Sequence, residues 1–153
     1  MTGAVTTMDA MTILRRCRDS GAELSELDAR IRQRRDAVTA LSVSMDRDGG
    51  RGPYTDRLAA AAAAVADLES QAQRRMERQA VELLAVNALA ERLPGVQGRI
   101  IYLYYGKAMT VRAVAKRIRY TEGYVRKLRR DAEDVLRALP EAVVDELLPP
   151  WYS

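Results

Sequence analysis

The stretch Thr110-Val-Arg-Ala-Val-Ala-Lys-Arg-Ile-Arg-Tyr-Thr-Glu-Gly-Tyr-Val-Arg-Lys-Leu-Arg-Arg130 carries two apolar faces at helical spacing, each introduced by a threonine. Val111, Val114, Ala115 and Ile118 form the first face; Val125, Leu128, Ala132, Val135, Leu136 and Leu139 form the second. Thr110 and Thr121 stand where a side-chain oxygen accepts from the orphan N–H groups that open a helix. The pattern therefore predicts two short helices packed across a turn at Arg119-Tyr120, a helix-turn-helix running to about Leu139.

Between the apolar positions the outward side chains are Arg112, Lys116, Arg117, Arg119, Arg126, Lys127, Arg129 and Arg130. A cationic outer face on a tight helix pair suits the DNA major groove: the second helix reads base edges while the first crosses the backbone. The net charge of +4 hides how this charge is placed. From Arg99 to Arg130 there are ten Lys plus Arg and one acid, Glu122, whereas residues 1 to 93 are neutral and 131 to 153 are acidic. The excess sits on the predicted reading unit.

The rest of the chain bounds the class. Its 153 residues, rich in Ala, Leu and Arg, suit an all-α protein of one domain or two small ones. The longest apolar run, Leu58 to Ala66, falls well short of the roughly 20 residues that span a bilayer, so no membrane partner is expected. The N-terminus lacks the basic segment, apolar block and small-residue cleavage site of an export signal. A single cysteine, Cys17, suits a reducing compartment. Together these predict a cytoplasmic protein. With no histidine, no phosphate-cradling glycine loop and no nucleophile-elbow serine, no catalytic residue, cofactor or metal site is expected.

Upstream, the prolines mark where helical periodicity stops. From about Thr7 to Met45 a seven-residue repeat places Ala10, Cys17, Leu24, Ile31, Val38 and Met45 on one seam position and Ile13, Leu27 and Leu41 on the other, interrupted there by Ser20 and Arg34. Asp46 to Pro53 is a Gly-rich break. A second long helix follows, capped by Thr55 or Asp56 and reaching about Arg92. Leu58, Ala61, Val65, Leu68 and Ala72 hold its seam, which shifts near Met76 and resumes through Leu83, Val86, Ala90 and Leu93. Two helices of similar length about a short break predict an antiparallel coiled-coil hairpin roughly 55 Å long at about 1.5 Å per residue. The expected division is thus 1–93, a helical arm, and 94–153, a small domain with a helix over about Val96 to Tyr105, the helix-turn-helix and a short tail.

On these residues the segment Arg99 to Leu136 resembles sigma-70 region 4 and the phage and prophage ArpU-like and RinA-like transcription regulators. Ile100, Ile101, Leu103 and Tyr105 match the family's leucine-rich start, Thr110 its first cap and Val114-Ala115 its Ile-Ala. Ile118, Tyr120, Thr121, Val125, Ala132 and Leu136 match the remainder. Three positions depart: Tyr104 stands where Arg is usual, Ala108 where Gly is common, and Arg119 replaces the turn glycine. A left-handed residue other than glycine carries a steric penalty, so a differently shaped turn is expected. The resemblance implies a recognition helix from Thr121, with Glu122, Tyr124, Arg126 and Lys127 near base edges, Arg129 and Arg130 on phosphate, and Gly123 admitting the DNA backbone. It also implies double-stranded DNA as partner and RNA polymerase as a further one; the long heptad helix has a second reading, since it can also pair with its copy in a homodimer through the arm.

Other readings accompany this one. A small terminase subunit also pairs a helix-turn-helix with helical oligomerisation elements, and a helical scaffold would bind a protein through residues 7 to 92. Tyr102, Tyr104, Tyr105, Tyr120 and Tyr124 invite a stacking platform for single strands. With no Phe in the chain, Tyr102, Tyr105 and Tyr120 are expected to fill the core instead, leaving Tyr124 outward. Asp131, Glu133 and Asp134 are expected to pair with cations one helical turn away, and Cys17 to be a buried, inert thiol. Trp151-Tyr152 either docks on a partner or tucks against its own domain.

Overall fold

The structure, a computed structural model, describes residues 8–48 and 53–152. Among the described residues every regular element is helical: α1 (Ala10–Asp48), α2 (Pro53–Ala90), α3 (Val96–Ile101), α4 (Val111–Ile118), α5 (Glu122–Arg137) and α6 (Glu141–Asp145). Thr7 and Gly49 to Gly52 of the Gly-rich break lie outside the described residues. α1 begins at a cap formed by Asp9, whose Oδ1 accepts from Thr12 N–H at 2.8 Å and from Thr12 Oγ1 at 2.7 Å. These bonds hold the Asp9 carboxyl below the ordinary carboxylate range. α2 starts at Pro53, two residues before the expected threonine. A proline there loses nothing, because a helix's first N–H groups have no partner within the helix.

The long helices form the antiparallel hairpin, but the compact units do not divide at Leu93-Pro94. Glu23–Glu77 make one unit; the described residues up to Ala22 and from Arg78 onward make the other. The expected boundary ends a helix without separating two cores. The reason is packing: Ile13, Leu14 and Cys17 of α1 and Val86 and Leu89 of α2 belong to the same buried cluster as Ile101, Ala132, Leu136 and Val144.

In the first unit Leu27 and Ile31 are buried with Leu68 and Ala72, the two seams meeting as the repeat predicts. Arg35 pairs with Glu69 at 2.6 Å, and Arg75 pairs with Glu23. As α1 rises from 23 to 35 its partners on α2 fall from 75 to 69, which is antiparallel register. Exposed pairs of this kind stabilise by at most about 1 kcal/mol, so the apolar seam carries the energy. Met76, where the seam shifts, is 54% exposed and lies beside the boundary between the units.

In the second unit α3 continues into a π-helical turn, Tyr102–Gly106, before α4 begins. α3 lies so close to the end of α2 that a Cβ on Gly98 would stand 2.4 Å from Ala90 O. Only glycine fits there. Ile100, Leu103, Val114, Ala115 and Val125 then close a small core among α3, α4 and α5. Removing each larger aliphatic of this set from water stabilises by about 1.5–3 kcal/mol. Val135, assigned to the inner face of α5, is instead 45% exposed. At 100° per residue it falls to the flank of the line through Val125, Ala132 and Leu136, which are buried.

Candidate nucleic-acid interface

Both predicted caps are present. Thr110 accepts from Ala113 N–H at 3.1 Å and Thr121 from Tyr124 N–H at 3.2 Å. Between the helices Arg119 takes φ 62° and ψ 44°, and the N–H groups of Arg119 and Tyr120 both donate to Ala115 O. The turn is therefore left-handed even without glycine, contrary to the altered shape expected from the Arg. Ala108, the other position where the resemblance expects Gly, also has positive φ, 55°. Two positions where the resemblance expects glycine thus sit on strained backbone.

Seven of the cations face outward. Arg112, Lys116, Arg117 and Arg119 are exposed on and just after α4, and Arg126, Lys127 and Arg130 are exposed on α5. Glu122 is exposed as well and pairs with Arg126 at 3.4 Å. Around Gly123 an added Cβ would meet nothing within 4 Å, so this part of the surface is open. Val114, Ala115 and Val125 lie beneath the two helices, fixing α4 against α5 and holding the cations on one rigid pair.

Arg129 is the exception among the proposed phosphate contacts. Its side chain is only 21% exposed; its Cζ lies 4.4 Å from the centre of the Tyr104 ring and its Nε 3.7 Å from Glu133. Glu133, 8% exposed, also accepts from the Tyr105 hydroxyl. Burial, then this bond, raises the Tyr105 phenol well above its usual range. Arg129 is turned inward because a buried carboxylate needs a countercharge and an aromatic face attracts a guanidinium.

Arg18 of α1, which sequence reasoning passed over, also lies over Tyr104. Its Cζ is 3.9 Å from the ring centre, and its Nη1 donates to the carbonyls of Tyr104 and, at 2.9 Å, Met109. It thereby ties α1 to the segment leading into α4. A signal existed: Arg18 follows the buried Leu14 by one helical turn and so shares a core-facing stripe. Tyr104, which stands where the resemblance expects an arginine, receives two arginines instead of being one.

The tyrosines divide differently from expectation. Tyr105 is buried and Tyr102 half-buried, but Tyr120, assigned to the core, is 43% exposed. It stands at the end of the turn, past the last buried position of α4, and packs edge-on against Tyr124 with ring centres 5.3 Å apart. Tyr124 is outward as predicted, at 46% exposure. Glu133 pairs with Arg129 as expected of the acidic cluster, and Asp134 with Arg137 at 3.1 Å.

Two remaining features resolve locally. Tyr152 is buried and its hydroxyl donates to Glu82, while Trp151 stays 61% exposed, so the tail tucks in through one ring only. Cys17 is fully buried, and burial pushes its thiol up to about 12, which makes it inert at neutral pH. No described helix is long and apolar enough to cross a membrane. Comparison with protein-family models, curated proteins and solved structures yields no match.

Proposed function

We propose that this chain binds double-stranded DNA sequence-specifically, as a phage-type transcription regulator with a sigma-region-4-like reading unit, in the cytoplasm of a bacterial host cell. The observation that carries this reading is the set of seven exposed cations, Arg112, Lys116, Arg117, Arg119, Arg126, Lys127 and Arg130, on two threonine-capped helices that share one core and on the turn between them. α5 enters the major groove by its N-terminal half. Arg126 and Lys127 donate to guanine O6 and N7 there, and Glu122 accepts from a cytosine amino group. Arg130, Lys116, Arg117 and Arg112 hold phosphates and set the register. Recruitment of RNA polymerase, or pairing with a second copy through the arm, would turn that grip into regulation.

The test is a salt series on duplex DNA with the parent and an Arg126→Ala/Lys127→Ala/Arg130→Ala variant. Log affinity should fall linearly with log salt, by about 0.9 per phosphate neutralised. The triple variant should bind more weakly and with a shallower slope. Affinity that ignored salt, or survived the triple change, would remove the proposal.

A further inference from the structure

Tyr120 and Tyr124 form an exposed aromatic pair at the start of α5, their rings 5.3 Å apart at 85°. The core reading does not explain them: both are more than two-fifths exposed, and neither hydroxyl has a hydrogen-bond partner among the described residues. The buried tyrosines behave otherwise, since Tyr105 donates to Glu133 and Tyr152 to Glu82. Edge-to-face packing fixes both rings, which lowers the entropy lost when either binds. Around them stand Arg119, exposed on the turn, and Lys127, one helical turn along from Tyr124. Glu122, the nearby acid, is opposed by Arg126.

The side of α5 decides what such a pair meets. Lys127 and Arg130 lie opposite the buried Val125 and Ala132 and so face straight out, whereas Tyr124 projects roughly a quarter-turn to the side at 100° per residue. With the N-terminal half of α5 seated in the groove, Lys127 meets the floor and Arg130, a turn further on, reaches phosphate. The flanks face walls of sugar and phosphate, past which the long Arg126 side chain extends to a base edge while the rigid Tyr124 ring stops at the wall.

We infer that Tyr120 and Tyr124 are a neutral clamp on the sugar–phosphate backbone of one DNA strand, donating their hydroxyls to phosphate oxygens. This deepens the DNA-binding reading and rests on it. The consequence separates the pair from the cations. A phenol displaces no condensed counterion, so it adds affinity without adding to the salt dependence, whereas each Lys or Arg on a phosphate adds to both.

The experiment is fluorescence anisotropy with a labelled mixed-sequence duplex across a salt series. It compares the parent, Tyr120→Phe/Tyr124→Phe and Lys127→Ala/Arg130→Ala, with circular dichroism verifying that each stays folded. The Phe variant keeps both rings and loses only the hydroxyls. Its affinity should fall roughly fivefold per hydroxyl at every salt concentration, with the parent's slope. The cation variant should lose slope, by about 0.9 for the phosphate contact of Arg130.

A Phe variant that binds as tightly as the parent overturns the clamp and leaves the DNA reading standing. Unchanged affinity for Phe with loss for Tyr120→Ala/Tyr124→Ala, together with preference for a single-stranded probe, overturns it in favour of base stacking. A parent that fails to bind the duplex removes the DNA reading and the clamp with it.

Discussion

The Tyr152 hydroxyl donates to the Glu82 carboxylate, joining residues 70 positions apart. Glu82 is 1% exposed and also accepts from Ser20 Oγ at 2.8 Å, while Arg78 lies over the Tyr152 ring at 4.5 Å. A buried carboxylate deprived of a donor loses about 1–3 kcal/mol. Tyr152→Phe should therefore lower the urea midpoint with an unchanged m-value. Trp151→Ala, at an exposed ring, should leave it within about 0.5 kcal/mol.

Arg129 and Arg130 adjoin in sequence and should separate in experiment. Arg130→Ala should reduce the salt slope of DNA binding by about 0.9 and leave stability within about 0.5 kcal/mol. Arg129→Ala should leave the slope unchanged and destabilise by several kcal/mol, since it strands the buried Glu133 without its countercharge. Paired denaturation and binding measurements check both.

Positive φ at Ala108 and Arg119 predicts a gain from glycine. Ala108→Gly and Arg119→Gly should each stabilise by about 1 kcal/mol, the penalty of a Cβ in the left-handed region. Arg119→Gly should at the same time weaken DNA binding, because an exposed cation leaves the face. A higher Tm with a lower affinity in the same variant is the expected signature.

Gly98→Ala should do the reverse. Its Cβ would lie 2.4 Å from Ala90 O, a backbone atom with no rotamer to move away. Overpacking of this kind costs about 1–3 kcal/mol. Thermal unfolding should show it, and Gly123→Ala, in open space, should show no such clash penalty.

Stability should decline at both ends of the pH scale for identifiable reasons. Asp9 titrates lower when folded than its ordinary 3.8, so its contribution is complete above that value and disappears as pH falls through the lowered one. Cys17, Tyr105 and Tyr152 are all raised by burial. Their unfolded forms ionise first, from about pH 9 for the thiol and pH 10 for the phenols, and stability should fall as pH rises beyond those points. Asp9→Ala should flatten the acid limb alone, by about 1 kcal/mol, in urea titrations at stepped pH.

The helices and their caps were legible because period and capping are local properties. Thr110, Thr121 and the apolar positions between them need only their neighbours in sequence to be read, and the seams of Leu27, Ile31, Leu68 and Ala72 repeat often enough to be seen. What escaped depended on partners far along the chain. Arg129 reads as one more outward cation until Tyr104 and a buried Glu133 are beside it. Arg18 acquires a role only when Met109 reaches it. Tyr120 was assigned inward from composition, a property that says nothing about where a turn carries a ring. The unit boundary was hidden for the same reason, since a helix can be continuous while its two halves serve different cores.

That continuity has a consequence for how the chain is made. The first residues of α1 contribute Ile13, Leu14 and Cys17 to a core whose other walls come from Arg78 onward. Leaving the ribosome before the residues they pack against, they wait through the synthesis of more than fifty residues before the opposite wall arrives. Domains ordinarily fold in the order in which they are translated. Here the later-starting unit, Glu23–Glu77, is complete first, and by bringing its two ends back together it returns the growing chain to the stretch left waiting.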